Sequence, residues 1–148
     1  MGHSGKMFYG EFEYKLDEKG RVTIPPKFRN SFKDGIVLAP GPEKCVLGYT
    51  VSEWRKLATE LTGNSAALTS KMRRLNRAFF ATAFSTRIDG QGRVALPAPL
   101  RDYAAIGDDA VVAGANTYLE IWSKELWEEE KAISQEQIWQ IMESWEKR

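Results

Sequence analysis

Residues 16–29, LDEKGRVTIPPKFR, are nearly written again at residues 88–101 as IDGQGRVALPAPLR. Both follow Asp-x-x-Gly-Arg-Val-x-φ-Pro-x-x-φ-Arg, where φ is apolar, at an offset of 72. The match extends outward without a gap through Phe12/Phe84 and Lys15/Arg87, and Gly35/Gly107 and Leu47/Leu119 fall at the same spacing. So many matches at one offset imply two copies of one supersecondary unit.

Within each copy the apolar period is that of strands. Phe12, Tyr14 and Leu16 alternate with Glu13, Lys15 and Asp17, and Val22 and Ile24 alternate with Arg21 and Thr23. Asp17-Glu18-Lys19-Gly20 between them suits a type I turn closed by a left-handed Gly in a bulge. As a local hairpin, this turn sets Asp17 against Arg21, Leu16 against Val22, Lys15 against Thr23 and Tyr14 against Ile24. In the second copy it sets Asp89 against Arg93, Ile88 against Val94 and Arg87 against Ala95. Pro25 and Pro97 end the second strand, because proline donates nothing to a ladder, and each begins a short helical turn. GIVLAPGPEKCVLGYT and DDAVVAGANTYLEIWS each read as a further strand pair. Trp54 and Trp127 follow on short helical stretches. With Trp122 they are read as packing residues.

Two helices are expected outside the repeated strands. In residues 65–83, Leu68, Met72, Leu75 and Phe79 form one stripe and Lys71, Arg73, Arg74 and Arg77 lie opposite. A second helix, starting near Ser134, carries Ile138, Ile141, Met142 and Trp145 on one face, to dock on its own domain or on another subunit. The organisation is then a leader or cloning remnant (1–6), repeat 1 (7–60), an inter-repeat helix (61–83), repeat 2 (84–131) and a terminal helix (132–148). The fold class is mainly β with flanking helices (α+β).

Charge is unevenly spread over the 148 residues. Residues 1–119 hold 17 basic and 12 acidic side chains, whereas residues 120–148 hold 4 and 8. Between Leu61 and Ile88 there are five basic residues and no acidic one, which suits a polyanionic partner. No apolar run reaches membrane-spanning length, so a cytoplasmic protein is expected. Cys45 is the single cysteine and reads as a small buried hydrophobe. The single histidine, His3, lies in the leader, leaving no Ser-His, Cys-His or histidine-zinc chemistry in the body. Neither GxxxxGK[ST] nor GxGxxG occurs. A carboxylate pair from Asp17 and Asp89 would sit beside arginines that favour the ionised form, which opposes a role as a catalytic acid. No catalytic residue, metal or cofactor is expected.

An Asp–Arg pair at a hairpin tip is worth only about 0.2 to 1 kcal/mol if exposed. Its duplication points instead to a carboxylate that aims a guanidinium. A fork held in one orientation loses less freedom on meeting a phosphate or the O6/N7 edge of guanine. Lys15, Lys19 and Arg87 flank the same face and are candidate phosphate contacts.

DEKGRVTIPPKFR and DGQGRVALPAPLR resemble the paired signature of the MraZ family, bacterial transcriptional regulators associated with the division and cell wall gene cluster. Each copy is similar to the single repeat of AbrB-type regulators. MFYGEFEYKLDEKGR, KMRRLNRAFF and LEIWSKELW extend the resemblance from Met7 through the terminal helix. The resemblance implies a swapped-hairpin, double-psi type β-barrel of two AbrB-like halves related by a pseudo-twofold axis, and assembly into a homo-oligomeric ring. It also implies contact with double-stranded DNA, at tandem direct repeats, through Asp17 with Arg21 and Asp89 with Arg93. A nucleoid-associated protein follows. The second tip carries Gly90-Gln91 where the first carries Glu18-Lys19, so it lacks one negative and one positive charge. The competing reading is an AbrB-like antitoxin or assembly module whose main partner is another protein. Antitoxins of that type carry one repeat and an unfolded tail, whereas this tail is patterned for a helix.

Overall fold

A computed structural model describes residues 7–63 and 69–146. The chain runs β1 (Glu11–Lys15), β2 (Arg21–Thr23), α1 (Pro26–Arg29), a 3-10 turn (Asn30–Phe32), β3 (Ile36–Pro40), β4 (Val46–Thr50) and α2 (Val51–Thr62). After α3 (Ser70–Leu75), which continues as a π-helical turn (Asn76–Phe80), the order repeats. It comprises β5 (Phe84–Thr86), β6 (Arg93–Ala95), α4 (Ala98–Tyr103), β7 (Asp109–Gly114), β8 (Leu119–Ser123) and α5 (Lys124–Glu146).

The two copies exchange strands. β1 pairs antiparallel with β7 of the second copy, β5 pairs with β3 of the first, and β2 pairs with β6. The register of the local hairpin is therefore corrected. Asp17 N–H still donates to Arg21 C=O at 3.1 Å, but Leu16 N–H goes to Asp108 C=O at 2.8 Å. Beyond the tip the two strands part, and neither Leu16/Val22, Lys15/Thr23 nor Tyr14/Ile24 forms; Ile88/Val94 and Arg87/Ala95 are absent likewise. Alternation specifies which face is buried but not which strand lies alongside, and here the partner comes from the other half of the chain.

The result is a six-stranded sheet, β1-β7-β8-β4-β3-β5, with a separate two-stranded sheet, β2-β6. β1 and β5 are free edges of the large sheet, so the described strands do not close into the barrel that the resemblance implied. The architecture is α+β, mostly strands with helices.

Strand periodicity builds two cores. Ile36, Leu38, Val46, Val112, Leu119 and Ile121 face inward onto Val22, Ile24, Val94 and Leu96 of the small sheet and Phe28 and Leu100 of the short helices. Val37, Leu47, Tyr49 and Trp122 point to the opposite face, where Trp54 and Leu57 of α2, Phe79, and Leu126 and Trp127 of α5 cover them. The tryptophans pack as expected: Trp54 lies 5.4 Å from Phe79 and Trp122 5.9 Å from Trp127, centroid to centroid. Cys45 is fully buried among them, and burial pushes its thiol pKa up.

The offset of 72 does not run the whole length. Phe12 faces Val112 and Phe84 faces Leu38, so the first members of these pairs are 72 apart but the second are 74 apart. Thr50 and Ser123, which cap the next helices by accepting from Glu53 N–H (3.2 Å) and Leu126 N–H (3.1 Å), are 73 apart. Gly35/Gly107 and Leu47/Leu119 are thus not structural equivalents. Repeat 2 gains two residues before β7 and loses one between β7 and β8, in surface connections that tolerate such changes.

The helices also depart from expectation. The expected single helix over 65–83 is α3 plus a π turn, with Leu68 outside the described residues. The terminal helix begins at Lys124 rather than near Ser134 and runs on for 23 residues, with Trp127 on it. Its outer half does not dock on the described residues of this chain, for Ile138, Trp139, Ile141, Met142 and Trp145 are all exposed, Trp145 by 67%.

A candidate nucleic-acid interface at the paired loops

Each repeat builds its loop by the same bonds. Gly20 N–H donates to Asp17 C=O at 3.0 Å with Gly20 at φ 75°, and Gly92 N–H to Asp89 C=O at 3.0 Å with Gly92 at φ 80°. This is the turn with a left-handed glycine read from the sequence. Asp17 Oδ1 accepts from the backbone N–H groups of Lys19 and Arg21, both at 2.9 Å, and its Oδ2 accepts from Arg21 Nε at 2.6 Å. Asp89 Oδ1 accepts from Gln91 and Arg93 N–H at 2.9 Å, and its Oδ2 from Arg93 Nε at 3.0 Å. The carboxylate fixes the loop and the guanidinium together.

The strand exchange then brings the two loops side by side. β2 and β6 cross at Val22↔Val94, a pair 72 apart that lies on the pseudo-twofold axis. The ladder continues into the opposite loop: Ile24 N–H donates to Gly92 C=O at 2.8 Å and Leu96 N–H to Gly20 C=O at 3.0 Å. Arg21 and Arg93 therefore share a face. Arg21 Nη1 lies 3.8 Å from Asp89 Oδ2 and Arg93 Nη1 lies 3.5 Å from Asp17 Oδ2. The four side chains close a ring of alternating charge, each about 27 to 34% exposed. Two separate tips were expected; the structure makes one constellation of them.

Electrostatics follow from that geometry. The Arg21 backbone N–H, above all, holds the Asp17 carboxyl below its ordinary value against the opposing pull of desolvation, with the Arg21 side chain and Lys19 N–H adding to it. Asp89 is lowered in the same way, first by the Arg93 N–H. Both are the ionised acceptors that the neighbouring arginines predicted. With two carboxylates for two guanidiniums the ring is neutral in formal charge. Each guanidinium is held through Nε by the carboxylate of its own loop, with Nη1 turned toward the carboxylate of the other.

The other candidate residues are dispersed. Lys19 is exposed on the first loop. Lys15, at the end of β1, forms an ion pair with Asp109 at 3.1 Å, and Arg87 donates to Lys33 C=O at 3.4 Å. Neither enters the ring. Arg29 and Arg101, to which the sequence reading gave no role, reach the loops instead; their signal was their constant place in both signatures.

Two copies of one strand-loop-strand-helix unit, interlocked by strand exchange about a pseudo-twofold axis, define the class: a tandem-repeat α+β protein with a paired-loop centre. The family model described as "MraZ protein, putative antitoxin-like" matches residues 7–76 and 79–144. A protein from Dehalococcoides mccartyi called "Transcriptional regulator MraZ" is 60% identical over 141 residues, covering 95% of this chain and 99% of its own. Proteins of the same name from Herpetosiphon aurantiacus and Roseiflexus sp. are 44% and 38% identical, covering 82% of this chain and 85% of their own. The chain belongs to the MraZ family.

Proposed function

We propose that this protein is a sequence-specific, DNA-binding transcriptional regulator whose contact with DNA is made by the paired loops. The observation that carries the reading is the closed Asp17-Arg21-Asp89-Arg93 ring. It holds two guanidinium groups side by side on one face, each fixed through Nε by its own carboxylate and only about 27 to 28% exposed. Such a fork is prepared for guanine or phosphate. Lys19, Lys15 and Arg87 serve as phosphate contacts around it, and the relatives' name, transcriptional regulator, supports regulation of transcription. The two units are taken as AbrB-like repeats over 7–60 and 84–131, flanked by the helical segments 61–83 and 132–148. We read the target as the promoter of a division and cell wall gene cluster, and the protein as a cytoplasmic, nucleoid-associated non-enzyme.

Assembly into a homo-oligomeric ring belongs to the same proposal. It is supported by the exposed apolar side chains on the outer half of α5 and by an open apolar groove of about 780 Å³ lined by Pro40, Pro42, Phe79, Phe84 and Tyr103. No described helix is long and apolar enough to cross a membrane. A ring on one face of DNA requires tandem direct repeats spaced by about 10 to 10.5 base pairs or a multiple. The α5 face equally favours a second reading, an AbrB-like antitoxin or assembly module in which DNA binding is secondary.

Fluorescence anisotropy of promoter duplexes at two salt concentrations separates these readings, because phosphate neutralisation makes affinity fall steeply with salt. Arg21→Lys with Arg93→Lys keeps the charge and removes both planar forks; it should impair specific binding. Arg73→Ala/Arg74→Ala/Arg77→Ala tests the rival basic surface of α3 and its π-helical continuation. Loss of binding in the α3 variant alone would reassign the interface. Trp145→Glu, with assembly followed by light scattering, asks whether α5 joins the subunits.

A further inference from the structure

We infer that Arg29 and Arg101 are positioning residues that act crosswise: each sets the loop of the opposite repeat. Both stand at the end of the signature, 72 residues apart, and both make the same bond. Arg29 Nε donates to Ile24 C=O at 2.8 Å and Arg101 Nε to Leu96 C=O at 2.9 Å. Ile24 and Leu96 are the residues whose N–H groups bond to Gly92 and Gly20 of the other repeat. The proline that starts each short helix places its arginine five residues beyond that carbonyl.

The guanidiniums themselves lie against the opposite loops. A Cβ built on Gly92 would fall 2.2 Å from Arg29 Cζ and Nε, and one on Gly20 would fall 3.0 Å from Arg101 Cζ and Nε. Each arginine thus fills the space where another residue type would put its side chain, and braces the backbone of the one left-handed position in the loop. Gly92 N–H closes the turn on Asp89, whose carboxylate aims Arg93; Gly20, Asp17 and Arg21 repeat the chain of contacts. Arg29 of repeat 1 therefore acts through Gly92 on Arg93, and Arg101 of repeat 2 through Gly20 on Arg21. The planar group is needed for this, because an ammonium donates to the carbonyl but presents no flat face to the glycine.

This inference rests on the paired loops for its bearing on DNA, but its geometry is testable without DNA. Amide hydrogen exchange is followed in Arg29→Met and Arg101→Met by NMR, together with the titration of a promoter duplex. In Arg29→Met, the Gln91 and Arg93 amides that bond Asp89 should exchange faster by about tenfold or more, while Lys19 and Arg21 stay near the parent rates; Arg101→Met should reverse the pattern. Acceleration in the arginine's own repeat, equally in both loops, or in neither overturns the inference. Arg29→Lys and Arg101→Lys keep the charge and a donor. They should still show the crosswise acceleration, and full protection in them would assign the effect to charge alone. If the methionine variants do not fold, the lysine pair carries the comparison. A crosswise exchange pattern with unchanged DNA affinity keeps the positioning role and removes the loops from the DNA interface.

Discussion

The two repeats are alike at the axis and unlike away from it. Around β2 and β6 the correspondence is complete: the same turn bonds, the same ion pairs and the same arginine bonds recur at an offset of 72. Outside, the offset moves to 74 and 73. β1 has five residues against three in β5, and α2 has twelve against twenty-three in α5. The difference teaches where symmetry is enforced. Each element at the centre packs against its own equivalent or against the opposite loop, so a change in one copy must fit the other. A peripheral connection meets only its own neighbourhood and drifts freely.

Separating the halves is the strongest way to break the comparison. β1, β2 and β5 all find their ladder partners in the other half. Either half expressed alone should lack a cooperative thermal transition, and mixing the two should restore one. A monomeric half that melts cooperatively would show that the units are independent domains and that the exchange at the axis is dispensable.

Truncating the core at the axis comes next. Ile24 is fully buried, so Ile24→Ala should destabilise by about 2 to 5 kcal/mol in urea unfolding. Phe84, at the free edge strand and 37% exposed, should lose markedly less on Phe84→Ala, although more atoms are removed. Equal losses would mean that the periphery is as constrained as the centre.

The loop glycines then sharpen the centre itself. Gly20 and Gly92 share a positive φ, so alanine costs each roughly 1 to 2 kcal/mol of backbone strain. At Gly92 the new Cβ would also collide with Arg29 at 2.2 Å, against 3.0 Å to Arg101 at Gly20. Gly92→Ala should therefore be the more destabilising of the two by thermal melting. The reverse order would place Arg29 elsewhere.

Much of this centre was legible in the sequence because its determinants are local. Asp17, Gly20 and Arg21 lie within five residues of one another, and the turn, the bulge and the carboxylate-guanidinium pair all follow from that spacing. Pro25 and Pro97 likewise mark the strand ends. What was not legible is long-range. Phe12 and Tyr14 alternate with polar residues whether β1 lies beside β2 or beside β7, so the pattern could not reveal the exchange. The meeting of the two loops follows from that exchange and was hidden with it. The drift in offset is masked in the sequence because Gly35/Gly107 and Leu47/Leu119 match by residue type without matching in place. At the C terminus, the apolar spacing of Ile138 to Trp145 announced a face but not its neighbour.

Acid titration should give the smallest effect and tests whether the two halves of the ring are equivalent. Asp17 and Asp89 are both held below the ordinary value of 3.8, chiefly by the backbone N–H of the arginine four residues on. A carboxyl with a lowered folded-state value contributes stability above its unfolded value and loses it as pH falls through the folded one. The parent protein should therefore melt above Asp17→Asn and Asp89→Asn at pH 6, and the gap should close as the pH drops below 3.8 toward the folded values. Because the bonds around the two carboxylates match, the two single variants should trace the same curve. The loops carry different side chains at Glu18-Lys19 and Gly90-Gln91, but of these residues it is the Lys19 and Gln91 backbone N–H groups that bond the carboxylates. Divergent curves would show that the exposed charges reach the ring after all, and that the symmetry of the centre is one of shape without being one of electrostatics.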